Sequence, residues 1–113
     1  MPDFNRSRKV WHAHIARWGG GVNNGVLVRG VTPRTMTMAM ADYAPKERGL
    51  FLDGAVRFWV SALNVAPADY PDHEQDVIQF AGREYKILMP PAGGHPDGTW
   101  IAFDLSCMYT RTV

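Results

Sequence analysis

The chain reads as a mainly β protein: a small antiparallel β-sandwich or partly open barrel with a short N-terminal helix. Three observations predict this. Short runs alternate apolar and polar residues at the period of a half-buried strand, as in Val56 to Ser61 and Asp76 to Met89. Eight Pro and eleven Gly punctuate the 113 residues, which suits short strands and turns better than long helices. Only one segment, near the N-terminus, carries a helical period.

That segment places Val10, Trp11, His14, Ile15 and Trp18 on one helical stripe. Asn5 or Ser7 can cap its start, and Gly19 is a natural stop. The Gly19-Gly20-Gly21 run reads as a flexible joint, which divides the chain into a helix and glycine hinge over 1–21 and a single β domain over 22–113. A helix with two tryptophans is expected to dock on its own domain, with a neighbouring molecule as the other candidate.

Strand signals follow. Asn23-Asn24-Gly25 is a turn, and Val26 to Val31 is a β-branched run in which Val26 and Val28 share a face, interrupted at Pro33. Thr35 to Ala41 alternates strictly and puts Met36, Met38 and Met40 on one side. Residues 42–49 form a polar loop. Ala55 to Val65 alternates again, with Val56, Phe58 and Val60 opposite Arg57, Trp59 and Ser61. After the turn-rich residues 66–75, two strands are joined across Ala81-Gly82-Arg83, where Gly82 supplies the positive φ of a tight turn. Ile78 and Phe80 share a face on the first, and Tyr85, Ile87 and Met89 on the second. Pro90 to Gly98 is a loop by composition. A last strand runs from Thr99 to about Met108, with Ile101, Phe103, Leu105 and Cys107 facing the core. About five or six strands around one core result.

A chain of this length buries roughly two-thirds of its unfolded surface, enough for one core without staples. With 46% hydrophobic and 20% charged residues it is globular rather than disordered in composition. Cys107 is the single cysteine, so an intrachain disulfide is excluded and a reducing compartment is favoured. No apolar run approaches the ~20 residues that span a bilayer, and the polar first residues lack a secretory hydrophobic region; synthesis in the cytoplasm is expected. The net charge of +1 conceals a split: residues 1–34 carry +5 and residues 35–113 carry −4. Such a split suits head-to-tail contact between copies, docking on a charged neighbour, or a basic tail lying on an acidic body.

No constellation announces chemistry. His12 and His14 lie on different faces of a helix, and His73 and His95 fall in loops, so neither zinc nor any other cofactor is expected. Asp72, His73, Glu74 and Asp76 read as solvated acids ending a loop, without a nucleophile at a recognisable elbow. Cys107 reads as a small core residue. The glycine runs have neither the phosphate-loop nor the dinucleotide spacing. Catalysis is not expected. The methionine row suits either the core or an adaptable partner-facing strand. Trp11, Arg17, Trp18, Met36, Met38 and Met40 are therefore the candidate contacts with other subunits or partners. Lys46 and Arg48 sit in a polar loop, where solvation is the plain reading.

Three stretches together resemble the small head–tail joining and head-closure (stopper) proteins of long-tailed bacteriophages, the lambda-type joining proteins among them. They are Gly25 to Val31 (GVLVRGV), Val56 to Val65 (VRFWVSALNV), and Asp76 to Leu88 (DVIQFAGREYKIL), the last followed by a Gly-rich loop and Gly98 to Leu105 (GTWIAFDL). Their order and spacing cover most of the chain beyond residue 20; Thr35 to Asp53 lies outside the resemblance. The resemblance implies a β-sandwich or barrel that forms a homo-oligomeric ring, a hexamer, in the virion neck. Such a ring would meet the connector or adaptor ring and portal on the head side and the tail terminator or tail tube on the other. It would help retain packaged DNA and pass it at ejection, without sequence preference and without a membrane. Lys46 and Arg48 would then be candidates for facing the DNA channel. A tail-terminator or tail-tube ring subunit is the nearest alternative, and a small barrel binding single-stranded nucleic acid through exposed aromatics is a further one.

Overall fold

A computed structural model describes residues 4–42, 55–94 and 98–113 of the chain. It is mainly β, as expected, with one N-terminal helix, α1 (Phe4–Gly19), and a curled antiparallel sheet that forms a half-barrel. The strands are β1 (Gly25–Arg29), β2 (Thr32–Met36), β3 (Met38–Asp42), β4 (Ala55–Ser61), β5 (Asp76–Phe80), β6 (Arg83–Ile87), β7 (Ala92–Gly94) and β8 (Trp100–Thr112). Among the described residues eight strands thus stand where five or six are expected.

The topology explains the curl. Strand order is β2-β1-β5-β6-β8-β4-β3, with β7 paired to β8 off this path. The two strands at opposite ends of that order, β2 and β3, are separated in sequence by Thr37 alone. One residue cannot cross a flat sheet of this width, so the sheet must bend until its two ends meet. Thr37 is buried and is tied down from both sides: its carbonyl accepts the Ser61 N–H at 2.9 Å, and its Oγ1 accepts the Asn23 N–H at 2.9 Å. The strict alternation from Thr35 to Ala41 therefore belongs to two strands rather than one. Pro33 lies inside β2 opposite Val28, tolerated because β2 is an edge strand.

The β5–β6 hairpin forms, with Ile78 opposite Tyr85 and Phe80 opposite Arg83, so Arg83 belongs to the strand rather than to the junction. Ala81 and Gly82 both have positive φ, 52° and 77°, the conformation of a two-residue turn whose twist matches its strands. β8 is the spine of the sheet, pairing β4, β6 and β7. It runs on to Thr112, and β7 forms inside the stretch that composition marks as loop.

The concave side holds the core. Leu27, Phe58, Val60, Ile78, Tyr85, Ile87, Phe103, Leu105 and Cys107 fill it, with Phe58 meeting Tyr85 and Phe80 edge-on at 4.9 and 5.5 Å. Burial pushes the Cys107 thiol up to about 12, which suits a packing residue. Met36 and Met38 belong to this core as well, 6% and 0% exposed. As candidate partner contacts these two are corrected: their side chains are consumed by the domain's own packing. Met40, 44% exposed, is the member of the row left at the surface.

Candidate interaction surface

α1 lies across the outer face of β3, β4 and β8. Its buried side is not the stripe that hydrophobicity alone selects. Ile15 is fully buried against Ala39, Ala102 and Trp59, and the rest of the contact is polar or small. Arg8 Nε donates to the Trp100 carbonyl at 2.7 Å, and His12 Nδ1 lies 2.8 Å from Ser61 Oγ. Ala39 and Ala102 keep the sheet surface low enough for the helix backbone to approach. Gly19 completes the seat: a Cβ there would collide with the Met38 carbonyl and come within 2.6 Å of Asn24 Nδ2. The Asn24 amide donates to the carbonyls of Gly19 and Met38 and accepts the Met38 N–H at 2.9 Å, so one side chain joins the helix end to the edge of β3. The junction read as a glycine hinge is accordingly a clamped contact at Gly19, with positive φ beginning at Gly20.

Turning the helix this way leaves aromatic rings outside. Trp11 is 37% and Trp18 57% exposed, with Val10 beside them at 50%. Trp11 stacks on Trp59 of β4 at 6.0 Å and 24°, and His14 stacks on Trp18 at 5.6 Å and 21°. The two stacks meet edge-on through Trp11 and Trp18 at 6.1 Å. Arg57 covers Trp59 at 4.7 Å and is itself fixed by a bidentate pair with Asp104, at 2.9 and 2.6 Å. A cleft of about 180 Å³ opens beside this strip, lined by Trp11, Trp59, Gly93, Ile101 and Ala102. Trp11 and Trp18, singled out from sequence, therefore share one surface, and Arg17 is exposed on the same helix. His14 falls on the same helical stripe as Trp11 and Trp18 in the sequence, whereas Trp59 is not among the residues the sequence singles out; its signal is its outward parity on β4. Met40 lies on the concave side of the sheet, and Lys46 and Arg48 lie outside the described residues.

The electrostatics are lopsided. α1 carries Arg6, Arg8, Lys9 and Arg17 and no acidic residue. The acids of the β domain are largely matched within it: Asp76 by Arg29 and Arg34 at 3.0 and 2.9 Å, Glu84 by Arg111 at 2.9 Å, Asp104 by Arg57. Asp76 is buried, which alone would raise its pKa. Hydrogen bonds from Arg29 and the Asp72 N–H, with the charge of Arg34, outweigh that cost and hold the carboxyl below its usual range. Asp76 is thus a structural node, and the Asp72, His73, Glu74, Asp76 run does not converge on a reactive centre. Asp72 Oδ1 accepts the Glu74 N–H at 2.9 Å, and His73 lies 3.8 Å from Glu74.

A larger cleft, about 370 Å³, opens at the seam between β2 and β3 and includes His12, Thr37 and Ser61. The His12–Ser61 pair, which spacing along the chain cannot reveal, has the atoms of a nucleophile and a base. However, Ser61 is buried, its Oγ also accepts the Leu63 N–H at 3.2 Å, and among the described residues no carboxylate is seen bonded to His12. The pair reads as the bond that holds the helix on the end of β4. Among the described residues no group of three or more His, Cys, Asp or Glu is placed to hold a metal ion, and no helix is long and apolar enough to cross a membrane.

Comparison of the chain with protein-family models, curated proteins and solved structures finds no match in any of the three.

Proposed function

We propose that this protein is a structural subunit of a phage neck ring, joining the DNA-filled head to the tail and helping to retain and pass DNA, with no chemistry of its own. The observation that carries the reading is the aromatic, cationic face of α1, preassembled on the outside of a half-barrel. Tryptophan and arginine are the residues on which protein interfaces concentrate their energy, and lysine-poor aromatic patches of this kind are rare on surfaces that meet only water. The resemblance of the β1, β4 and β5–β6 segments to head–tail joining and head-closure proteins supplies the class of assembly, and a half-barrel with an N-terminal helix is compatible with it. In this reading the ring contacts a connector or portal on one side and tail proteins on the other, and acts in the virion after synthesis in the host cytoplasm.

The test uses particles that lack the protein. DNA-filled heads made without it should lose DNA on dilution and fail to accept purified tails, and adding the purified full chain should restore both. Heads that retain DNA and join tails equally well without the chain would overturn the proposal.

A further inference from the structure

We propose that the exposed side of α1, which carries Trp11, Trp18, Lys9 and Arg17, docks on the Pro67 turn and Glu74 of the next copy of this chain. This deepens the ring reading and rests on it, because it names the two surfaces that would close the ring.

The exposed side of α1 carries Arg6, Lys9 and Arg17, and the helix has no acid, which disfavours pairing with the same side of another copy about a two-fold axis. Its counterpart is then a different surface, and a repeated contact between unlike surfaces generates a ring where the rotation closes. The described residues offer one such surface. Most of the acids are matched by arginines of their own domain and covered, but in the loop between β4 and β5 Asp69, 3.6 Å from Arg34, stays 52% exposed and Glu74 78%. Between β4 and those acids the chain exposes Ala66, Pro67 and Ala68, small apolar groups on which indole rings can lie. Pro67–Asp69 form a single 3-10 turn, entered and left by extended residues, Ala66 at −71°, 149° and Tyr70 at −61°, 144°.

The loop is also rigid. Arg29 donates to the carbonyls of Ala68 and Tyr70 at 3.0 and 3.1 Å, and Arg34 donates to the Asp69 carbonyl at 2.6 Å. Docking on it costs little ordering entropy, just as the tryptophans are already held by their own stacking. Finally, the two surfaces ride on different parts of the sheet: α1 on β3, β4 and β8, the turn on arginines of β1 and β2. That is the arrangement a head-to-tail contact requires.

The experiment exchanges charge across the contact in the full chain and reads mass by native mass spectrometry. One variant carries Lys9→Glu with Arg17→Glu; the other carries Ala68→Lys with Glu74→Lys, which leaves the Arg34–Asp69 contact in place. All four positions are exposed, and circular dichroism checks that each variant folds. Each variant alone should be monomeric at concentrations where the natural chain forms its ring. An equimolar mixture should reassemble, in alternation, to rings with an even number of subunits. A Trp18→Ala variant with charges intact should weaken assembly at least tenfold. If the natural chain forms rings and either charge variant alone does so as readily, or the mixture of folded variants stays monomeric, these surfaces are wrong while the ring reading stands. A natural chain that stays monomeric at every concentration overturns both. Binding of a single-stranded oligonucleotide, lost in the Lys9→Glu, Arg17→Glu variant with assembly untouched, would assign the face to nucleic acid and overturn the proposal.

Discussion

Phe58 and Trp59 are neighbours on β4 and point to opposite sides of the same sheet, and the contrast between them runs through the molecule. On the concave side Phe58, Tyr85 and Phe103 are almost wholly buried in the aliphatic core, Phe58 against Tyr85 and Phe103 against Tyr70 and Trp100. On the convex side Trp59, Trp11, His14 and Trp18 form stacked pairs that remain partly open to solvent. The difference teaches where to look for function in a β protein of this size: the inner rings specify the fold, and the outer ones are held in order without being used up by it.

Mutation should separate the two sides. The largest effect is expected inside. Phe58→Ala removes a fully buried ring at the centre of the core and should cost about 3–5 kcal/mol, read as a shift in the urea midpoint. Next comes the Asp76 node. Replacing Asp76 by Asn leaves Arg29 and Arg34 facing a neutral group in a buried site, which should cost about 3 kcal/mol. The same substitution should change the acid limb of stability. Because the folded carboxyl is held below its unfolded value of about 3.9, its contribution is present above that pH and lost as pH falls further. The natural chain should therefore lose stability more steeply below about pH 4 than the Asp76→Asn variant, in midpoints measured across pH.

The methionine row gives a smaller, internal contrast. Met38→Ala should cost about 2–3 kcal/mol, whereas Met40→Ala, on the same strand but half exposed, should cost less than about 0.5 kcal/mol. The smallest effect on stability is expected outside. Trp18→Ala removes a ring that is 57% exposed and should shift the melting midpoint by no more than a degree or so. If it instead unfolds the protein, the distinction between the two faces collapses.

The same contrast explains what could be read from the chain. The β5–β6 hairpin was legible because its alternation and the positive φ at Gly82 are local properties. So was the core face of β8 from Phe103 to Cys107. The break at Thr37 was not, because Thr35 to Ala41 alternates without interruption and only the contacts to Asn23 and Ser61 divide it. β7 is not legible because Ala92, Gly93 and Gly94 have no side-chain pattern to follow; their pairing comes from β8. The helical period marks α1 but only part of its buried face. Ile15 is buried as expected, whereas Val10 and Trp18 are outside and Arg8 and His12 are inside. A hydrophobic stripe marks the face a helix would bury in oil. This helix is instead seated by bonds to Trp100 and Ser61, far away in sequence, and by the close approach at Gly19. Two of the candidate surface residues, Trp11 and Trp18, were visible for what they are by residue type, while Trp59 joins them only through the fold.

The central claim, that the chain is a neck subunit working through assembly, is tested most directly by locating it in intact virions. Antibody-gold labelling of purified particles, with the full chain as antigen, should place it at the single vertex where head meets tail. Its absence from particles, or its distribution along the length of the tail, would contradict the account.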